Sequence, residues 1–193
     1  MVLIGIMGIK GSGKSTSSYH ISSVYNFIEK SFADCLKKAC AELFLLTDNQ
    51  VNGTQEEKET PDPRWMNCTP RRILQFVGTD LLRNNLNTIM PGLEKDIFIN
   101  HFRLWYTNII KENPQCNVIL SDVRFQNEVD LIHELGGYVI KIDRESVRTD
   151  DIHPSEIEML SIKDYDMCIN NNLELSNLFQ KLDDYVISLM SQI

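Results

Sequence analysis

The chain has 193 residues, 42% of them apolar and 24% charged, and a net charge of −8. That is an ordinary soluble composition, long enough for one domain with a substantial core. The acidic balance argues against a protein that coats nucleic acid, and no apolar run reaches the ~18 residues of a membrane span.

The five cysteines (Cys35, Cys40, Cys68, Cys116, Cys168) fit neither zinc nor disulfide spacing, which predicts free thiols in a reducing cytosol. The four histidines show no metal-ligand spacing. The N-terminus lacks the basic region of a signal peptide.

Residues 2–7, Val2-Leu3-Ile4-Gly5-Ile6-Met7, predict a first strand. It runs straight into Gly8-Ile9-Lys10-Gly11-Ser12-Gly13-Lys14-Ser15, which fits G-x-x-x-x-G-K-[ST] at every fixed position. The glycines let the backbone wrap around a phosphate, and successive N–H groups form an anion-binding nest at a helix start. Lys14 is placed to reach β and γ phosphates, and the Ser15 hydroxyl to ligate Mg²⁺. Thr16 supports the helix start or an α-phosphate. A helix follows from about Lys14.

Asn26–Phe32 predicts a second strand, and Ala33–Phe44 a helix with Leu36, Ala39, Cys40 and Leu43 on one face. Residues 47–63 are polar and proline-punctuated, which predicts a mobile loop or excursion rather than a core element. Thr69-Pro70 reads as an N-cap and first helical position, with helix to about Leu86. Another helix is expected from about Leu93 to Lys111. Asn117–Asp122 predicts a buried strand, Phe125–Leu135 a helix, Tyr138–Ile142 a strand and Met167–Ile169 a last short strand. Leu173–Met190 completes the pattern as a helix. Arg144–Ser155 is polar and without periodicity, as expected of a lid. The alternation implies a parallel sheet covered on both faces, with ligands at the carboxyl ends of the strands.

Asp122, at the end of an apolar strand, suits a water-mediated Mg²⁺ contact or the orientation of a phosphate acceptor; the alternative is an N-cap for the next helix. Arg124 lies at the same mouth and suits a bidentate phosphate contact. Arg144 and Arg148 in the lid could close over transferring phosphates, or be solvated loop charges. Arg71 and Arg72 open a helix against its dipole, which points to an anion there. Gly78 interrupts the same helix, for close approach of a ligand or of a packing neighbour.

Together these residues resemble a family, the deoxynucleoside monophosphate kinases of bacteriophages and large DNA viruses. The likeness covers nearly the whole chain. It rests on the Gly8–Ser15 loop, on Phe32-Ala33-Asp34-x-Leu36-Lys37, and on Arg71-Arg72-Ile73-Leu74-Gln75-x-x-Gly78-Thr79-Asp80. It extends to Ser121-Asp122-Val123-Arg124-Phe125-x-Asn127-Glu128, His153-x-Ser155-Glu156 and Ile169-Asn170-Asn171-Asn172.

The resemblance implies a single three-layer α/β domain of the P-loop nucleoside monophosphate kinase fold. Its features would be a five-stranded parallel sheet, an acceptor-binding excursion with helices over about 45–113, and a lid over about 144–155. It implies ATP as phosphoryl donor with Mg²⁺, and a deoxynucleoside monophosphate as acceptor. The donor set would be Lys10, Gly11, Ser12, Gly13, Lys14, Ser15 and Thr16, with the loop of Asn171 near the adenine. Asp34, Lys37, Arg71, Arg72, Gln75, Gly78, Thr79, Asp122, Arg124 and Glu128 would surround the acceptor, with Phe98 where the family carries a tryptophan against the base. Lys14, Arg124, Arg144 and Arg148 would carry the transfer, and Ser15 and Asp122 the metal. The setting would be the host cytoplasm, with no nucleic-acid or membrane partner and a homodimer open. Two other readings stand beside this one. One is a kinase for another phosphorylated small molecule, such as phosphomevalonate or dephospho-coenzyme A. The other is a non-enzymatic nucleotide switch.

Overall fold

The computed structural model describes residues 1–93, 95–145 and 159–192. They form two compact units, Met1–Phe32 with Phe102–Ile193, and Ala33–His101.

In the first unit, β1 (Leu3–Met7) is buried along its whole length. It pairs in parallel with β3 (Val118–Val123) on one side and β4 (Tyr138–Asp143) on the other. Gly5 faces both Leu120 and Val139 in register. β2 (Ile28–Lys30) and β5 (Met167–Asn170) lie outside, giving the order β2-β3-β1-β4-β5, all parallel. A sheet buried on both faces explains why β1 and β3 read as continuous apolar runs rather than alternations.

Helix α1 (Lys14–Tyr25) and the C-terminal helix α8 (Leu175–Met190) belong to one core. That core contains Ile4, Ile6, Ile21, Ile119, Ile140, Leu182 and Val186. Only one residue of α1 buried there is apolar; the others are Ser17 and Ser18. Their hydroxyls are satisfied locally, Ser17 donating to the Gly13 carbonyl and Ser18 to Glu29. Asp183 of α8 accepts from Tyr25 Oη at 2.8 Å and pairs with His20 Nε2 at 2.7 Å, fixing α1 from its outer end. Burial first, and then the Asp183 carboxylate, push the Tyr25 hydroxyl up to about 12. Helix α7 (Gln126–Glu134) buries Val129, Leu131 and Ile132, and Ile132 fills the space left by Gly5.

The second unit is helical. It holds α2 (Asp34–Leu43), α3 (Asp48–Asn52), α4 (Gln55–Glu59) and α5 (Pro70–Gln75), the last running into a π-helical stretch, Phe76–Arg83. Helix α6 (Ile97–Glu112) starts here and ends in the first unit. A small core of Leu46, Val51 and Ile73 is walled by Phe44 and Trp65, whose indole N–H donates to the Phe44 carbonyl.

The polar stretch 47–63 corrects the expected mobile loop. It folds as α3 and α4, each opened by a complete capping box, Thr47 with Gln50 and Thr54 with Glu57. Two T-x-x-Q/E signals one after another satisfy the orphan amides that would otherwise disfavour such short helices. β2 is shorter than expected, α6 begins at Ile97, and the helix from Pro70 changes to π geometry near Gly78. A Cβ on Gly78 would stand 2.6 Å from Leu36 Cδ2, so this glycine serves the packing of α2.

Asp62 organises the chain between α4 and α5. Its side chain is 4% exposed. It accepts from Gln50 Nε2 at 2.9 Å and from Arg64 Nη2 at 2.7 Å, with further bonds from Arg64 Nε and N. Those donors, Arg64 foremost and then Gln50, hold its carboxyl well below the usual carboxylate range. A depressed folded pKa stabilises above the unfolded value of ~3.9 and loses that contribution as pH falls towards the folded value. Asp62→Ala is therefore expected to lower Tm clearly at about pH 7 and by less at about pH 3. Paired thermal melts of the two proteins check this; a pH-independent difference contradicts it.

Candidate active site

The loop after β1 makes three turns of positive φ, at Gly8, Gly11 and Gly13. Gly13, at φ 108°, is the N-cap of α1. A Cβ on Gly8 would stand 2.5 Å from the Ile142 carbonyl oxygen, so no side chain fits where the loop passes β4. Ser12 is fully buried, and its Oγ has no hydrogen-bond partner among the described residues. Its amide donates to the Ile9 carbonyl, closing the turn. Lys14 Nζ donates to the Gly8 carbonyl at 2.6 Å and to the Ile9 carbonyl at 2.8 Å, folding the cation back over its own loop. No acid occupies the first turn of α1, so its own residues leave the positive end of the dipole uncompensated. Orphan amides and one lysine come together here, an arrangement that can accept an anion. Ser15 and Thr16 are exposed at its edge, and Lys10 and Gly11 lie on the loop itself.

Asp122 stands at the carboxyl end of β3. Its Oδ1 accepts from the Phe32 amide at 2.8 Å and its Oδ2 from Ser31 Oγ at 2.5 Å. It does not cap α7. That task falls to Glu128, 1% exposed, whose Oε2 accepts from the amides of Arg124 at 2.7 Å and Phe125 at 3.2 Å. Arg124 is half-buried at the same mouth. Its guanidinium makes no hydrogen bond or ion pair among the described residues. Arg144 is exposed just after β4; Arg148, with the His153-x-Ser155-Glu156 segment, lies outside the described residues.

In the second unit, Arg71 and Arg72 part company. The Arg71 guanidinium pairs with Glu59 and donates to Gln55, both on α4. The Arg72 backbone is capped by Thr69 Oγ1, while its side chain is exposed and meets no described partner. Lys37, Gln75 and Thr79 likewise make no side-chain hydrogen bond among the described residues, and Asp34 opens α2. Phe98 is 4% exposed, and the Arg83 guanidinium lies 4.9 Å from its ring centroid. Arg83 and Ser31 are contacts that the sequence did not signal, because each partner lies many residues away.

A parallel sheet in this order, with a lysine-bearing phosphate loop at the end of its central strand, defines a P-loop kinase fold. The dephospho-CoA kinase of Campylobacter jejuni shares it at TM-score 0.53 and 15% identity, over 97% of this chain and 96% of that one. The deoxynucleotide monophosphate kinase family model matches residues 45–182. A protein of Acanthamoeba polyphaga mimivirus with the provisional name deoxynucleotide monophosphate kinase is 60% identical over 182 residues, 94% of each chain. The deoxynucleotide monophosphate kinase of Enterobacteria phage T4 is 24% identical over 94% of this chain and 97% of its own. The chain belongs to the deoxynucleotide monophosphate kinase family.

Glu128→Ala would leave the amides of Arg124 and Phe125 without their acceptor. Each buried unsatisfied donor costs ~1–3 kcal/mol, so urea denaturation is expected to show a loss of about 2–4 kcal/mol. A loss below about 0.5 kcal/mol would contradict the capping role.

Proposed function

We propose that the protein transfers the γ-phosphoryl group of ATP to a deoxynucleoside 5′-monophosphate, yielding the diphosphate. The observation that carries this is the Gly8–Ser15 cradle at the end of β1, in a chain of the deoxynucleotide monophosphate kinase family. That membership favours a nucleotide acceptor over phosphomevalonate or dephospho-coenzyme A, and an enzyme over a switch.

In this reading the amides of the loop and of the first turn of α1 hold the donor's β and γ phosphates. Lys14 exchanges its two loop carbonyls for phosphate oxygens as charge develops on the transferred group. The acceptor is already an anion, so no general base is needed, and positioning carries most of the rate. Arg72, with Lys37 and Gln75, is assigned to the acceptor monophosphate in the second unit. Arg124 is assigned to phosphate at the mouth of the sheet, with Arg144 and Arg148 as lid cations. Arg71 is already matched by Glu59 and serves the packing of α5 on α4.

The residues suit Mg²⁺ rather than a metal caged wholly by protein. Among the described residues no group of three or more His, Cys, Asp or Glu side chains could hold a metal ion. Hard oxygen donors are present in the Ser15 hydroxyl and the Asp122 carboxylate, and Mg²⁺ commonly completes its shell with water and substrate phosphates. Ser15 would hold it directly and Asp122 through water. The ion would neutralise phosphate charge. Its viral relatives support a place in the host cytoplasm.

Lys14→Ala is expected to keep its fold and lose nearly all acceptor-dependent ADP release in a coupled assay across the common NMPs and dNMPs. Turnover like that of the parent protein overturns the assignment. Arg72→Ala is expected to raise KM for the acceptor about tenfold or more with KM for ATP unchanged, the loss of one charge-assisted hydrogen bond. Equal changes in both KM values would remove Arg72 from the acceptor side.

A further inference from the structure

The carboxyl end of β5 reaches the phosphate loop through one side chain. Asn171 follows β5 directly and is 9% exposed. Its Nδ2 donates to the Ser12 carbonyl at 2.8 Å, a buried hydrogen bond across 159 residues of chain. Its own amide donates to the Asp143 carbonyl at 2.7 Å, so the side chain projects from backbone held at the ends of β4 and β5. A Cβ built on Gly13 would stand 2.6 Å from that Nδ2. The missing side chain at Gly13 therefore serves two ends: it permits φ 108°, and it makes room for the Asn171 carboxamide.

We propose that Asn171 is a positioning residue of the donor site, acting through the phosphate loop rather than on the nucleotide base. This rests on the reading of Gly8–Ser15 as the donor cradle. The Ser12–Gly13 peptide has two ways to face. Asn171 gives its carbonyl a buried partner on the core side, which leaves the following amides, at the start of α1, as the unsatisfied donors offered to phosphate. Without that partner, the carbonyl would regain a hydrogen bond only by turning its peptide, and the nest would lose its preformed geometry. The contact thus lowers the reorganisation that phosphate binding would otherwise require.

The test is a comparison of three anions on the full-length protein: Mg·ATP, Mg·GTP and inorganic tripolyphosphate, each by calorimetric titration. Two variants are used. Asn171→Ala removes the donor; Asn171→Asp keeps the volume and sets a carboxylate oxygen against the Ser12 carbonyl. Both are expected to weaken all three anions by a common factor of about tenfold. In steady state they are expected to raise KM for ATP with KM for the acceptor unchanged. A merely structural role would lower the folded fraction and leave both KM values alone. Weakening confined to ATP means that Asn171 reads adenine and overturns the inference, as does undiminished binding of all three. If Asn171→Ala does not fold, the near-isosteric Asn171→Asp decides alone. A parent protein that binds none of the three anions overturns the donor-site reading itself. Parent-like binding in folded variants overturns only the role of Asn171.

Discussion

In the proposed function, the turn from β1 into α1 presents backbone amides to an anion while the loop that carries them is closed on its inner side by the sheet. Every nearby choice follows from that constraint. Ser12 is buried, Gly8 lies where Ile142 leaves no room for a Cβ, and Gly13 takes a left-handed conformation to start the helix. Helix α1 then depends on serines that satisfy themselves locally and on Asp183 of α8 gripping its outer end. Ile4, Ile6 and Ile21 with Leu182 and Val186 form the packed apolar core of the first unit, from which the loop after β1 emerges. Rigid donors aimed at developing charge are worth more than donors that must first reorganise.

Charge is distributed differently in the two units. In the first, the acids near the site are committed to backbone and hydroxyl donors, Asp122 to Ser31 and Phe32, Glu128 to the amides that open α7. Arg124 therefore lies in sequence between two carboxylates that already accept from backbone or hydroxyl donors. In the second unit one arginine of an adjacent pair is neutralised by Glu59, and the other meets no partner among the described residues. An acidic chain can handle anionic substrates in this way, by matching the cations it needs for structure and leaving a few unmatched.

Much of this was legible in order along the chain. The apolar runs located β1, β3 and β4, and the fixed spacing of glycines and lysine located the tight turns that lead from β1 into α1, because both signals are local. The polar stretch 47–63 reads as a loop or excursion for a physical reason. Its helices are too short to show periodicity, and their only signature is the pair of capping boxes at Thr47 and Thr54. Gly78 reads as room for a ligand or a packing neighbour, and in the structure Leu36 packs against it. Arg71 reads as facing an anion, since no local pattern joins it to the carboxylate of Glu59 twelve residues earlier.

By itself, the sequence determined the alternation of strand and helix, the phosphate loop and the strand-end acid. Each of these is a property of neighbouring residues and needs only backbone geometry and local burial. The tertiary structure alone decided the strand order and the loops that meet at the end of β1. It also decided which polar groups spend their hydrogen bonds on one another. Asn171 shows the difference most plainly. It reads as one of three asparagines after a short strand, and only the parallel neighbourhood of β4 and β5 brings its carboxamide to the Ser12 carbonyl.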